Sequence, residues 1–578
     1  MTHLKTLFMC LITIGGLLGC DDDRAQTRDS GIIDLDASVV SDMRRDLDSM
    51  SDSEITDPID AGFDEPDHGP LPINHRIEIE ISSRPIAEVS DLYLSFAIDA
   101  SLVVGGQWWS PDGEDRGGVG GDRVEPLDWS DERLRELTAP LAPAILRIGG
   151  TEADHIYYDL EDTLAEAPEG YDYRLTGDQW RGLTGFVADL DLSLMFTLNF
   201  ASGPRDAEGL WTRDQAQVLM ASEGSALVSV WELGNELNGY PLFHSINLSP
   251  DQLSQDLTLA RELRDELSPT SKLAGPACAY WPEIGEINPI SGDFIEAAGD
   301  LDSPGVDVVT WHYYPMQSRR CPVANVRATP NRLFEPDRLI EVERWATHTQ
   351  AQVDAHLSGA EVWLGETGHA QCGGEPKVSD TFLSSVWWLD QLGRVARMGQ
   401  PVMIRQALWG GTYGLIDEQS GETRPDYWAS LAWKQMMGST VLNAQVINIS
   451  TDPPSASPSE SELIAVYAHC HPVRGLSLLV INPTDERYQL DPRLDHMTTL
   501  LSSDAEVITL TPDPLSALED TGDLPAARAA LRAEALLWND APPTLESAYA
   551  TATSDALESP ARSLTLISWP TLDLEACE

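Results

Sequence analysis

Lysine is nearly missing from this chain. Four of the 37 basic residues are Lys, and 94 Asp and Glu oppose them, for a net charge of −57 over 578 residues. Such a surface repels phosphate backbones and anionic headgroups, which argues against nucleic acid as a partner and against membrane attachment through protein charge. Cysteine is also sparse, seven in all, with no CxxC or Cys/His spacing, so nothing suggests a metal site. Long apolar runs are lacking too. Leu7–Leu18 has twelve residues, short of the roughly 18 that a membrane span needs. What is present is ample core material: 42% hydrophobic residues and 17 Trp exclude wholesale disorder, and the length predicts two or more domains. An acidic, Lys-poor surface predicts stability that rises with salt.

Residues 1–19 read as an export signal: Lys5, the apolar run, then small residues before Cys20. Leu17-Leu18-Gly19-Cys20 resembles the lipobox of bacterial lipoproteins, which implies acylation at Cys20 and an exported chain held to a bacterial membrane by lipid alone, on its periplasmic face or at the cell surface. An ordinary secretory signal with a chance Cys is the alternative. Residues 20–75 form an acidic tether; from Asp21 to Pro70 sixteen Asp/Glu stand against four Arg, with no periodic apolar pattern. Beyond Cys10 and Cys20 five cysteines remain, an odd number for an oxidising compartment, so at least one is free or paired between chains.

From residue 76 to 445 the pattern alternates. Strand-length apolar runs fall at Leu92–Asp99, Ala144–Gly149, Leu194–Asn199, Val228–Glu236, Lys272–Gly275, Val306–His312, Glu361–Glu366 and Val402–Gln406. Amphipathic stretches such as Gln252–Leu267, Arg338–Leu357 and Thr381–Met398 separate most of them. Strands buried on both faces and interleaved with helices predict an α/β fold with a parallel sheet, and eight units predict a closed (β/α)8 TIM barrel. Several runs end on polar residues (Asp99, Asn199, Asn235-Glu236, His312, Glu366, Arg405-Gln406), at the strand ends where such barrels carry their sites. Residues 446–578 change texture: Ile464–His469, Leu476–Asn482 and Ser563–Trp569 are short strands among Pro- and Ser-rich turns, which predicts an appended antiparallel β-sandwich. Pro514–Trp538 is partly helical by pattern and has no assigned place.

Glu236 and Glu366 end the fourth and seventh runs, and barrel closure would bring them together. Two carboxyl groups flanking one sugar suit retaining glycoside hydrolysis, one protonated to assist the leaving oxygen and one ionised to attack. The segments Trp231-Glu-Leu-Gly-Asn-Glu-Leu-Asn238 and Val362-Trp-Leu-Gly-Glu-Thr367 resemble the acid/base and nucleophile segments of glycoside hydrolase family 79, the family of heparanase and related β-glucuronidases. The likeness continues through Leu94–Ala100, Pro143–Asp154, Thr310–Tyr314, Gly373-Gly374, Ser379–Phe382, Trp388–Asp390, Ala396–Gly399, Arg405-Gln406, Val466–Cys470 and the last dozen residues. The resemblance implies Glu236 as general acid/base and Glu366 as nucleophile, with no metal or organic cofactor. It implies Asn235 on the sugar 2-hydroxyl, and Gly373, Gly374 and Tyr413 on a uronate carboxylate. Asp99, Thr151, His312, Tyr314 and Gln406 would line the same subsite. It further implies a Cys470–Cys577 disulfide and an N-terminal strand, near Ile77–Ile81, that joins the second domain. Asn235 could instead hold its loop, His312 could be a core histidine, and Arg147 could pair with a carboxylate near the barrel floor.

The departures from heparanase concern charge. The Gly-Gly-Thr motif continues as Glu152 where heparanase carries Lys, Gly275–Pro282 lacks the Gln and Arg that meet a sulfated chain, and Tyr171–Thr197 has no Lys cluster. Arg319 and Arg320 are the basic remnant. The stretch between Tyr158 and Gly185 is too short for an excised linker, which predicts a single-chain enzyme. These features favour a β-glucuronidase-type enzyme on a weakly charged glucuronide over an endo-acting heparanase-like one, and retention of Glu236, Glu366, Asn235 and the Gly-Gly loop favours it over a non-catalytic glycan-binding lipoprotein. The expected partner is a glucuronic-acid-containing oligo- or polysaccharide, with no protein partner implied. Trp108, Trp109 and Trp281 are candidates for stacking on neighbouring sugars, and Gly105–Gly121 for a cleft wall.

Overall fold

The computed structural model describes residues 75–109, 121–201, 203–333, 335–450, 463–497, 501, 505–512, 550–552 and 557–577. The signal, Cys20, the acidic tether, the centre of the Gly105–Gly121 insertion and Pro514–Trp538 lie outside them. Among the described residues no helix is long and apolar enough to cross a membrane.

After β1 (Arg76–Glu88) come eight strands that close a parallel barrel in chain order: β2 (Leu94–Asp99), β3 (Ile145–Gly149), β4 (Ser193–Leu198), β5 (Val228–Leu233), β6 (Lys272–Tyr280), β7 (Val308–Tyr313), β8 (Glu361–Thr367) and β9 (Met403–Gln406), which pairs back to β2. Helices follow the strands: α1 (Glu132–Thr138), α2 (Gly177–Asp189), α3 (Asp214–Met220), α4 (Pro250–Leu267), α5 (Ser291–Gly299), α6 (Pro336–His356), α7 (Phe382–Arg397) and α8 (Pro425–Met436). Local chemistry starts two of them with capping boxes, Thr176 with Gln179 for α2 and Ser249 with Gln252 for α4. The fourth apolar run ends as a strand at Leu233 rather than Glu236, because Gly234 (φ 72°) and Glu236 (φ 50°) turn into left-handed backbone. The fifth extends to Tyr280 rather than Gly275, its pairing with β7 skipping Ala277 (φ 53°) so that Pro276 is accommodated at a bulge.

Period-two alternation fills the barrel in layers. Ala97, Ile145, Met195, Val230, Ala274, Val308, Trp363 and Ile404, one from each strand, form an apolar cluster with Val402. Two residues further along the strands the inward positions turn polar, with Asp99, Arg147, Thr197, Glu232, Thr310 and Gln406 all buried. On β8 the register against β7 slips between Leu364 and Glu366. A Cβ on Gly365 would sit 3.1 Å from Thr310 Cβ, so glycine at the bulge makes room for Glu366 beside it.

The second sheet has nine strands. To β1 are added β10 (Thr440–Ser450), β11 (Ala465–Cys470), β12 (Leu476–Asn482), β13 (Tyr488–Leu494), β14 (Ala505–Leu510), β15 (Ala550–Ala552), β16 (Glu558–Ser559) and β17 (Ser563–Trp569). Their order is β15-β14-β17-β12-β11-β10-β1-β13-β16, antiparallel except for β1 against β13. Alternation again sorts the side chains. Val466, Ala468, Leu478, Val480 and Trp569 join Ile77, Ile79 and Ile81 in the sheet's own core. Tyr467, Leu479, Ile481, Leu564 and Leu566 face the other way, into the core of the barrel and its helices. Tyr467 donates its hydroxyl to Asp390 of α7 at 2.6 Å, and its ring lies where a Cβ on Gly393 would be. Disulfides join Cys470 to Cys577 and Cys321 to Cys372, and Cys278 is a buried free thiol.

Candidate active site

The polar layer is organised by Arg147, which is wholly buried on β3. Its Nε donates to Glu232 Oε2 (2.8 Å), its Nη1 to Glu366 Oε2 (2.7 Å) and its Nη2 to Asn235 Oδ1 (3.0 Å). Glu232, itself fully buried, also accepts from the hydroxyls of Thr197 (2.7 Å) and Thr310 (2.9 Å). A buried guanidinium between two carboxylates, each further hydrogen-bonded, is the arrangement in which desolvated charges are tolerated.

Above this lies the carboxylate pair. Glu236 is half-buried, and its Oε1 is 3.2 Å from His312 Nδ1, which is 3.9 Å from Glu366 Oε2. One oxygen of Glu236, one of Glu366 and a ring nitrogen of His312 all lie within 4.8 Å of one another. Tyr314 donates to the second oxygen of Glu366 at 2.7 Å. Burial alone would raise the Glu366 carboxyl. The charges of His312 and Arg147, with the hydrogen bonds from Tyr314 and Arg147, outweigh it and hold the group below the ordinary glutamate value. Glu236, His312 and Glu366 are close enough to surround a cation. Both Glu366 oxygens already accept donors, however, and the Arg147 guanidinium adds positive charge there. The arrangement suits an ionised, oriented carboxylate facing a second one across a sugar-sized gap.

The remaining expected residues fall around the pair. Asn235 is held by Asp154, whose Oδ2 accepts the Asn235 N–H at 2.9 Å while Oδ1 takes Phe200 N–H and Tyr240 OH. Burial raises the Asp154 carboxyl to about 6 despite these bonds. Asp99 caps the short helix after β2 through Ser101 and receives Gln406 Nε2 at 3.4 Å. Burial pushes Asp99 up to about 7, with the Glu366 charge adding to it. Gly150 (φ 99°) must be glycine, since a Cβ would lie 2.1 Å from Asp99 Oδ2. Half-buried Thr151 and Glu152 follow it. The Glu152 carboxyl is raised to about 7 by burial and by Asp99. Tyr413 stacks on Tyr314 with ring centroids 6.4 Å apart. Gly373 and Gly374 lie beside Tyr413 with φ of 78° and 86°. Trp109 packs against Gly373, while Trp108 is buried with its indole N–H on Glu418. Trp281 is half-buried and bridges to Gly285.

Sequence reasoning did not single out Glu232 or Asp154. For Glu232 a signal existed: it stands two residues beyond Val230, in step with Ile145 to Arg147 and Met195 to Thr197.

A parallel eightfold barrel whose strand ends gather two facing carboxylates defines an O-glycosyl hydrolase. Residues 79–393 match the model described as glycosyl hydrolase family 79, N-terminal domain. Bovine (Bos taurus) heparanase is 30% identical over 447 residues, covering 69% of this chain and 74% of heparanase. Baicalin-beta-D-glucuronidase of Scutellaria baicalensis is 24% identical over 456 residues, covering 72% and 78%. The chain belongs to glycoside hydrolase family 79. Among solved structures the fold is similar to an alpha-L-arabinofuranosidase from Thermotoga maritima, with TM-score 0.55 and 13% identity over 85% of this chain and 99% of the other.

Proposed function

We propose that the protein is a retaining β-glucuronidase-type hydrolase acting on weakly charged glucuronides. The observation that carries the mechanism is the close approach of Glu236 and Glu366, one oxygen of each lying within 4.8 Å of the other. Double displacement uses carboxyls about 5–5.5 Å apart, whereas inversion needs roughly 6.5–9.5 Å to admit a water. Glu366, kept ionised by Arg147 and Tyr314, attacks the anomeric carbon as Glu236 gives its proton to the departing glycosidic oxygen. Glu236 then takes a proton from the water that releases the sugar from Glu366, which regenerates both groups and retains configuration. Asn235, its carbonyl oxygen occupied by Arg147, offers its amide nitrogen to the 2-hydroxyl.

The uronate reading rests on Gly373, Gly374 and Tyr413 as carboxylate ligands, with Asp99, Thr151, His312, Tyr314 and Gln406 lining the subsite. The charge of −57 opposes a heavily sulfated chain, and Glu152 supplies no cation to receive a sulfate. The nine-stranded sheet, with a core of its own on one face, is read as a β-sandwich. Export and lipid attachment at Cys20 belong to the same proposal. Chromogenic β-glucuronide should be hydrolysed and the matching β-glucoside much less, with Glu366→Gln abolishing turnover. Equal action on both sugars would remove the uronate assignment. Full activity in Glu366→Gln would remove the mechanism.

A further inference from the structure

The loop carrying Gly373 and Gly374 is fastened from behind. After β7 the chain runs through Gln317, Ser318, Arg319, Arg320 and Cys321, and Cys321 is disulfide-bonded to Cys372, the residue before the glycines. Arg320, buried, donates through Nη2 to the carbonyls of Gly373 (2.9 Å) and Gly374 (2.7 Å) and to Thr412 Oγ1 (2.7 Å). The Gly373 carbonyl also accepts Thr412 N–H at 2.7 Å. Glu375, buried, takes Ser318 Oγ and the Arg319 N–H, and its own N–H goes to Ser379 Oγ. In a trans peptide the C=O and the following N–H point in opposite directions. Pinning the Gly373 carbonyl on Arg320 and Thr412 therefore turns the Gly374 N–H to the far side, and neither glycine N–H has an acceptor among the described residues. Cys372, Gly373 and Gly374 are three consecutive left-handed residues (φ 64°, 78° and 86°), a backbone that cysteine adopts only under constraint.

We propose that the Cys321–Cys372 disulfide and Arg320 form a positioning clasp that holds the Gly373 and Gly374 N–H groups toward the substrate's carboxylate, so that the disulfide governs affinity for uronides and leaves bond cleavage at Glu236 and Glu366 alone. This deepens the uronide reading and rests on it. The charge of Arg320 behind two polarised peptide groups adds to their attraction for an anion. Because the carboxylate is bound alike in ground and transition states, loss of the clasp acts on KM and spares kcat.

The test is steady-state kinetics of a chromogenic β-glucuronide with wild type, Cys321→Ser/Cys372→Ser and Arg320→Met, plus inhibition by free D-glucuronate. Both variants should raise KM and the glucuronate inhibition constant roughly tenfold or more, with kcat within about threefold. The Cys470→Ser/Cys577→Ser variant, which opens the other disulfide, should melt lower with KM unchanged. Should the Cys321/Cys372 variant fail to fold, Arg320→Met, which keeps the disulfide, carries the same expected split. Unchanged KM in folded variants overturns the clasp alone. So does a fall in kcat equal to the rise in KM, which would mean general loosening. A wild type that neither cleaves the glucuronide nor binds glucuronate overturns the uronide reading and the clasp with it.

Discussion

Removing one hydroxyl from Tyr314 should move the pH dependence of this enzyme without dismantling the site. The Tyr314 hydroxyl donates to Glu366 Oε1 at 2.7 Å in a buried setting, while Arg147 holds the other oxygen. A hydrogen bond to a charged group is worth about 1.5–3 kcal/mol, and one pKa unit corresponds to about 1.4 kcal/mol. The bond favours the ionised carboxyl, so Tyr314→Phe raises the Glu366 pKa. Only the ionised nucleophile attacks, so the acid limb of kcat/KM against pH should move to higher pH, with the ring stacked on Tyr413 still in place. The assay is glucuronide hydrolysis from pH 3 to pH 8 in buffers of constant ionic strength. An acid limb that stays put, or moves to lower pH, refutes the reasoning. Stability gives a second check. A carboxyl held below its ordinary pKa contributes stability that is present above that ordinary value and lost as pH falls through the lowered one. The melting deficit of Tyr314→Phe should therefore be larger at neutral pH than in acid.

Glu232→Gln breaks a fully buried ion pair and leaves Arg147 with one carboxylate; a loss of about 3–5 kcal/mol is expected in denaturant melts. Asp99 behaves in the opposite sense to Glu366. Its folded pKa of about 7 lies above the unfolded value, so stability falls as pH rises between the two. Asp99→Asn, which can still cap its helix, should gain melting temperature over wild type progressively from pH 4 to pH 8. Gly150→Ala should cost both stability and turnover by pushing Asp99 aside, read by calorimetry and by kcat/KM. Raising salt from 0.05 to about 1 M should increase the melting temperature as self-repulsion of a −57 chain is screened.

The barrel was legible because its signal is local. Each strand announces itself as an apolar run, and each polar strand end marks the side that carries chemistry. The site's inner layer was only half legible. Glu236 and Glu366 stand in long recognisable segments, but the partners of Arg147 come from β8 and from β5 with the loop that follows it, and nothing in the residues around position 147 says which carboxylates will face it. The bulge at Gly365 is likewise invisible from spacing, because strict alternation would turn Glu366 away from the lumen. The pairing of Cys321 with Cys372 stayed open for the same reason: five cysteines allow many connections, and only the meeting of the loops after β7 and β8 selects one. Strand ends were misjudged where left-handed residues intervened, at Gly234 and Ala277.

The first described strand sits inside the second sheet, between β10 and β13, with Ile77 paired to Ile449. The ribosome adds about 5–20 residues per second, so β1 waits on the order of 20–75 s for its neighbour to be made. During that interval Ile77, Ile79 and Ile81, destined to be fully buried, have no core to enter. An early strand with its apolar face bare and both edges open is a site for mispairing and for aggregation. The chain's last quarter must therefore be complete before its first described strand is safe, and truncation late in the sequence should be felt as insolubility of the whole.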